Sequence, residues 1–212
     1  LEVDLICRGS NNLPGWGEEI IATSGEAKAA GSAGYTAYTL GNFDCNPLVF
    51  GPIGNDNEGR FIKDQLDIAS INMKHIKIYE DEPTGLSVTF ISDEDGERSF
   101  VNSIGCLKKY GWDELQPHLE TLKELDLVLI AGYFLMPGLR GCTTRRLFET
   151  LRVNGTNTAL DIGHPPKGWR SVIIKELKPI LSLTDYFFPN EDELVGLTDT
   201  ENHELGCNVL QD

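Results

Sequence analysis

The run Gly51-Pro52-Ile53-Gly54-Asn55-Asp56-Asn57-Glu58-Gly59 follows the apolar triplet Leu48–Phe50 and leads into Gly59–Ile68, where apolar residues recur at helical spacing. Its glycines turn the chain and its Asn and Asp side chains cap a helix start, so the run reads as a tight joint between a strand and a helix. The same alternation extends in both directions. Strands are expected at Val3–Cys7, Leu48–Phe50, Leu127–Ile130, Thr158–Asp161 and Tyr186–Phe188. Helices are expected at Ala33–Gly41, Gly59–Ile68, Trp112–Leu122, Gly138–Leu151, Trp169–Leu177 and Glu191–Leu197. Short apolar strands alternating with helical segments call for a mostly parallel sheet wrapped by helices, so the fold class is α/β.

Two stretches break the alternation. Glu18–Thr23, and Leu86–Ile91 with Glu97–Val101 across the turn Asp93-Glu94-Asp95-Gly96, show the period-two pattern of antiparallel hairpins. With His75–Tyr79 they are expected to form a small sheet standing off the main body. A lid over a ligand and a plain edge hairpin both fit that pattern. No repeat, low-complexity tract or linker divides the 212 residues, which read as one domain with lid strands at about 18–23 and 74–101.

Composition narrows the partners. A formal charge of −15 opposes a nucleic-acid polymer, whose phosphates require clustered Lys and Arg, but it leaves room for a small phosphorylated ligand. No apolar run reaches the roughly 18–20 residues that span a bilayer, so no membrane anchor is expected. The five cysteines are odd in number and widely spaced, which points to a reducing cytoplasm rather than a disulfide framework. The chain begins at Leu1 without a Met, so residues in front are expected to be missing.

Several segments can carry chemistry. Gly25 to Ser32 is not a Walker loop, because Gly31 is followed by Ser rather than Lys-Ser or Lys-Thr, and no G-x-G-x-x-G occurs. Ala30-Gly31-Ser32-Ala33-Gly34 lets either a ligand or another helix approach a helix start closely. Pro189-Asn190-Glu191-Asp192-Glu193 follows an apolar strand, and Asn190 with Glu193 either caps the next helix or faces a crevice at the strand's carboxyl end. Asp4 lies inside an apolar run, where an ionised carboxylate is costly unless it is paired or reaches a ligand. Asp161 ends another apolar strand, where a carboxylate holds magnesium, binds a hydroxyl or caps a turn. The four histidines are scattered, without triad or metal-ligand spacing.

In order, these segments resemble the ribokinase-like (PfkB) carbohydrate kinases along nearly the whole chain. Val3-Asp4-Leu5-Ile6 looks like the family's first strand with its substrate-binding Asp, and Leu13-Pro14-Gly15-Trp16-Gly17-Glu18 like its approach to the lid. Ala30-Gly31-Ser32-Ala33-Gly34-Tyr35-Thr36-Ala37 is similar to the Gly-Gly-x-x-x-Asn-x-Ala helix start, and Val49 to Gly59 to the "vG-x-vG-x-D-x-x-G" segment. Thr84-Gly85 and Asp95-Gly96-Glu97-Arg98 match the lid hairpin. Phe188-Pro189-Asn190-Glu191-Asp192-Glu193 through Leu197-Thr198 resembles "PN-x-x-E…LtG".

The resemblance implies a three-layer sandwich with a mostly parallel central sheet and a small β-sheet lid, incomplete on its C-terminal side. It also implies ATP-dependent phosphorylation of a hydroxyl on a sugar or a sugar-containing nucleoside, with Mg2+. Asp4, Gly31 and Ser32 would contact substrate hydroxyls. Asn190 and Glu193 would order magnesium and its waters near the phosphates, assisted by Asp161. Tyr133 falls where the family contacts the sugar. Homodimers through the lid are implied as well.

Two departures stand out. Tyr35 occupies the place of the family's substrate-binding Asn, with a single hydroxyl and far more bulk. The family's catalytic base lies in a Gly-Ala-Gly-Asp motif that these residues do not contain. No catalytic residue is therefore assigned in the chain, and the 212 residues alone are expected to be inactive; the alternative reading is a kinase-derived protein that binds a ligand or regulates without turnover.

Overall fold

The computed structural model describes residues 1–9, 13–43 and 45–211. Two compact units divide the chain, Leu1–Lys108 and Lys109–Asp212.

In the first unit, β1 (Glu2–Arg8) pairs antiparallel with β2 (Ser24–Ala30) and parallel with β5 (Gly85–Ile91), and β5 pairs antiparallel with β6 (Arg98–Ser103). The result is a four-stranded sheet of order β2-β1-β5-β6. Strand periodicity gives it two unlike faces. Glu2, Asp4, Ser87 and Thr89 line one. Across the other runs the register row Ala27, Leu5, Val88 and Val101.

β3 (Gly51–Gly54) and β4 (Ile76–Tyr79) form a separate parallel pair, with α1 (Ser32–Gly41) and α2 (Asn57–Ile68) completing the unit. Its core is Leu1, Val3, Val49, Ile53, Ile62, Leu66 and Ile71, with Ala37 of α1.

Three sequence expectations shift here. The strand placed at Glu18–Thr23 lies instead at Ser24–Ala30. The segment His75–Tyr79 contributes β4, which pairs with β3 rather than joining the hairpin. Asp4's strand runs in the mixed four-stranded sheet together with that hairpin.

The Gly51–Gly59 joint is held by one carboxylate. Asp56 caps α2, its Oδ1 accepting from the Gly59 amide at 2.8 Å and from the Thr84 hydroxyl at 2.6 Å, while its Oδ2 accepts from the Thr84 amide at 2.7 Å. The Thr84 hydroxyl accepts in turn from the Gly54 amide at 2.8 Å. Glycine is required at 59 because a Cβ there would overlap the Gly54 carbonyl oxygen. The joint thus ties the β3–α2 turn to Thr84, the residue just before β5, across 28 residues of chain.

In the second unit, β7 (Leu127–Ala131), β8 (Asn157–Asp161) and β9 (Tyr186–Phe187) form an all-parallel sheet in that order. The helices are α3 (Trp112–Leu115), α4 (Leu119–Lys123), α5 (Cys142–Val153), α6 (Ser171–Leu181), α7 (Glu191–Thr198) and α8 (His203–Gln211). The helix expected over Trp112–Leu122 is broken by a 3-10 turn at Gln116–His118, where Pro117 has no amide to donate. Conversely, α6 continues past Leu177 through Pro179 to Leu181, anchored by the fully buried Ile180.

Asp185 fastens the edge of this sheet. Its Oδ2 accepts from the Thr158 amide at 2.9 Å and its Oδ1 pairs with Arg152 at 2.7 Å. Register places Ala131 beside Asp161 and Leu160 beside Phe187, so the carboxyl ends of all three strands open on one edge. In α/β sheets that edge is where ligands bind.

Candidate functional site

Asp4 and its neighbours occupy the polar face of the four-stranded sheet. The register sets Asp4 beside Ser87 on β5. The Tyr35 hydroxyl, from the first turns of α1, donates to Asp4 Oδ2 at 3.2 Å, and the Ser87 hydroxyl also bonds this carboxyl. Burial raises the Asp4 carboxyl above its ordinary value, and the bonds from Ser87 and Tyr35 oppose the rise. Burial and then the Asp4 carboxylate push the Tyr35 phenol up to about 12, with Glu26 and Glu2 adding to it. Tyr35 therefore stays protonated and donates to Asp4 throughout the neutral range.

Gly31 precedes α1 with φ 80°, a left-handed value that glycine adopts without strain. It places the opening turn of α1 beside Glu2. Ser32 is the first helical residue and is exposed, and the amides of that turn have no intrahelical partner. Asp4, Tyr35, Gly31 and Ser32 thus belong to one unit, with Asp4 bonded directly to Tyr35.

Sequence reasoning missed three residues on this face. Glu2 stands two positions before Asp4 and is only 8% exposed; Ser87 and Thr89 are more deeply buried still. Their signal was the period-two spacing around Asp4, which the charged Glu2 extends toward the strand's start. A cavity of about 440 Å³ in the same unit is bounded by Tyr35, Tyr38, Ala27, Ala29, Ile62 and Leu66. Asp4 is not one of its walls, so the cavity and the polar face are distinct features.

In the second unit, Asn190 caps α7 in a reciprocal box. Its Oδ1 accepts from the Glu193 amide at 2.8 Å, while Glu193 Oε2 accepts from the Asn190 amide at 3.3 Å and Glu193 Oε1 from the Asn190 side-chain amide at 3.0 Å. Capping is thus fully realised, and each carboxylate oxygen retains a further acceptor site. Glu193 is nearly buried. Burial raises its carboxyl above the ordinary value, the Asn190 amide opposes the rise, and the charges of Asp161 and Asp192 add to it.

Such a pair of acids is relieved by a nearby cation. Among the described residues no group of three or more His, Cys, Asp and Glu side chains is arranged to hold a metal directly.

Tyr133 is different. It follows β7, as expected, but is fully buried, and its hydroxyl donates to Glu176 Oε1 at 2.6 Å while accepting from the Gly141 amide at 2.7 Å. Arg140 grips the same Glu176 through two nitrogens, each at 2.9 Å. Tyr133 is buried and its hydroxyl is held between Glu176 and the Gly141 amide.

Comparison with known proteins identifies the family. The family model described as "pfkB family carbohydrate kinase" matches residues 3–212. A ribokinase of Arabidopsis thaliana is 26% identical over 189 residues, covering 88% of this chain and 46% of that protein. An ATP-dependent ribose-1-phosphate kinase of Halopiger xanaduensis is 22% identical over 196 residues, covering 92% of this chain and 61% of that one. The chain therefore spans about half to three fifths of the length of these relatives.

Among solved structures, the Arabidopsis ribokinase with ribose and ATP superposes with a TM-score of 0.75 at 22% identity, covering 99% of this chain and 65% of that one. Adenosine kinase from Sinorhizobium meliloti gives 0.76 at 20% identity, covering 99% and 68%. These likenesses establish the ribokinase-like α/β fold. With a family model that takes in every residue from Val3 onward, the chain belongs to the pfkB family of carbohydrate kinases.

Proposed function

We propose that the chain supplies the acceptor-binding and phosphate-facing parts of an ATP-dependent kinase acting on a hydroxyl of a sugar or sugar-like small molecule. The observation that carries this reading is Asp4, a half-buried carboxylate on a polar sheet face, fixed by Tyr35 and Ser87. Asp4 orients the acceptor hydroxyls, with the Gly31 and Ser32 backbone and the Tyr35 ring beside it. In the second unit Asn190, Glu193 and Asp161 would hold a hydrated Mg2+, which would neutralise phosphate charge. Phosphoryl transfer depends on just such positioning and charge neutralisation.

The names of the relatives, ribokinase and ribose-1-phosphate kinase, support a sugar acceptor. The fold neighbour named adenosine kinase makes a sugar-bearing nucleoside the second reading.

None of the 212 residues forms a Gly-Ala-Gly-Asp run, so the proposal places the catalytic base outside them. ADP release is the test, across a panel of sugars and nucleosides. A full-length gene product containing that run is expected to turn over at least one acceptor, and the 212 residues alone none. Robust phosphorylation by the 212 residues would place the base within them, and no turnover by the full-length product would remove the kinase assignment.

Two further elements belong to the same proposal. A cytoplasmic location is supported by the odd number and wide spacing of the cysteines. Pairing of two copies is supported by the apolar row on the back of the four-stranded sheet, where Leu5 is 39% and Val101 64% exposed. Light scattering is expected to show a dimer that Val101→Lys converts to a monomer; an unchanged mass for the variant would exclude that face.

A further inference from the structure

The cavity of about 440 Å³ between β2 and the helices α1 and α2 has no part in the acceptor reading. Its volume suits a small organic molecule, since ligand cavities begin near about 300 Å³.

Three consecutive residues of β2, Ala27, Lys28 and Ala29, line it. Successive strand residues point to opposite faces, so three in a row share a cavity only where it meets the strand along its edge. β2 is the edge strand of its sheet, and on the side away from β1 every second residue turns its amide and carbonyl outward. The cavity thus meets a backbone donor and a backbone acceptor.

The remaining walls are side chains. Tyr35 and Tyr38 share one face of α1, and Ile62, Gln65 and Leu66 line the cavity from α2. Ile62 and Leu66 are buried, whereas Tyr35 is 42% and Tyr38 46% exposed. Half-exposed aromatic rings beside an apolar floor suit a flat molecule. Gly34 keeps the space open. A Cβ there would meet Leu1 Cδ2 at 3.4 Å, an ordinary contact, so the packing would accept alanine. Glycine inside a helix is less favourable than alanine, and close packing does not demand it here.

The polar side chains are few. Among the described residues the Gln65 amide and the Tyr38 hydroxyl have no side-chain partner. The Gln65 amide carries a donor and an acceptor side by side. Lys28 is the charged residue of the lining, but the register sets it opposite Asp4, so its side chain shares the Asp4 face, where its ammonium pairs with Glu26 at 3.4 Å. The cavity therefore favours a neutral ligand.

We propose that this cavity is an effector site for a flat, uncharged heteroaromatic with N–H and C=O side by side, as in a free nucleobase, and that its occupancy tightens acceptor binding through Tyr35. The ligand's N–H donates to the Gln65 oxygen and its C=O accepts from the Gln65 nitrogen, while its ring lies against the two tyrosines. Tyr35 belongs to both places: its ring is a wall of the cavity, and its hydroxyl donates to Asp4 Oδ2 at 3.2 Å. A molecule packed on that half-exposed ring restricts its rotation and holds the hydroxyl on Asp4, so part of the ordering is complete before the acceptor arrives. By linkage, the acceptor tightens the effector by the same factor. Binding in the cavity stands by itself, and the coupling rests on the reading of Asp4 as an acceptor-binding residue.

The test begins with titration calorimetry of the full-length gene product against hypoxanthine, uracil and 1,3-dimethyluracil. Hypoxanthine and uracil are expected to bind with Kd of about 1 mM or lower. 1,3-Dimethyluracil, whose ring nitrogens cannot donate, is expected to bind about tenfold more weakly than uracil. Tyr38→Ala is expected to weaken hypoxanthine about tenfold, and Gln65→Leu to bind uracil and its dimethyl form alike. Melting temperatures report whether each variant remains folded. In steady-state ADP release, saturating hypoxanthine is expected to lower the acceptor KM about fivefold. Tyr35→Phe keeps the ring and loses the bond to Asp4, so it is expected to bind hypoxanthine while its acceptor KM no longer responds.

Failure of both bases to bind, or binding that folded Tyr38→Ala and Gln65→Leu leave untouched, would overturn the effector site while the kinase reading stands. A raised acceptor KM would place the base in the acceptor cleft, and an unchanged one would overturn the coupling. Absence of ADP release with every acceptor is a separate outcome: it removes the kinase reading and the coupling, and calorimetry alone then decides the cavity.

Discussion

Replacing Asp4 with alanine in the full-length gene product is expected to lower kcat/KM for the acceptor on the order of 100-fold. The carboxylate is the charged centre of its sheet face, and hydrogen bonds to charged groups contribute about 1.5–3 kcal/mol each, a factor of ten per 1.4 kcal/mol. Two acceptor hydroxyls on Asp4 give the upper part of that range. The loss is expected in KM as well as kcat, because Asp4 both holds the acceptor and aims it.

Removal of this carboxyl also leaves the Tyr35 and Ser87 hydroxyls without their shared acceptor. Asp4→Asn is therefore the informative partner variant: it keeps one oxygen for Tyr35 while losing the charge, and its activity is expected to fall between those of the wild type and Asp4→Ala. Unaltered kinetics in either variant would contradict the assignment of Asp4.

The second large effect concerns stability. Asp56→Ala is expected to destabilise the first unit by about 3–4 kcal/mol, since it removes a helix cap and leaves the Thr84 amide and hydroxyl unpaired in a nearly buried setting. Chemical denaturation of wild type and variant measures this directly, and a difference below about 1 kcal/mol would show that the clamp is replaceable by water.

The pH dependence follows with a definite sign. Burial tends to raise the Asp56 carboxyl, but the bonds from Thr84 and Gly59 outweigh it and hold the carboxyl below its ordinary value. The unfolded chain thus binds the proton more readily. The stabilisation is complete above the ordinary value of 3.8 and is lost as the pH falls through the lowered value, so wild type and Asp56→Ala are expected to converge in strongly acidic solution.

The joint at Gly51–Gly59 shows what a sequence discloses well. Glycines, a capping Asp and a following apolar period act locally, and each is visible in the string of residues. The parallel sheet of the second unit was legible for the same reason, because β7, β8 and β9 are short apolar runs separated by helices.

β2 was misplaced because Ser24–Ala30 is made of Ser, Gly, Ala, Glu and Lys, which favour strands poorly. It becomes a strand by pairing along the whole of β1, a tertiary effect that overrides propensity. Pro117 breaks a helix that the apolar period alone carried through, whereas Pro179 sits in a helix that buried Leu177 and Ile180 sustain.

The candidate site divides the same way. Asn190 and Glu193 were readable because their spacing of three is a helix-start signature, and the reciprocal cap is present. Asp4 was conspicuous as an acid in an apolar strand. The Tyr133 hydroxyl is taken up by Glu176 and Gly141, partners 43 and 8 residues away that no local pattern announces. Glu2 went unread because an acid at the start of a strand looks like a solvated end, and only the glycines at 31 and 85 reveal that it is enclosed.

The central claim is that the Asp4 face receives the acceptor. A crystal structure of the full-length gene product with its preferred acceptor and a non-hydrolysable ATP analogue tests it most directly. The account predicts an acceptor hydroxyl about 3 Å from an Asp4 carboxylate oxygen. An acceptor bound in the apolar cavity between β2 and the two helices, or anywhere that leaves Asp4 without contact to it, would contradict the account.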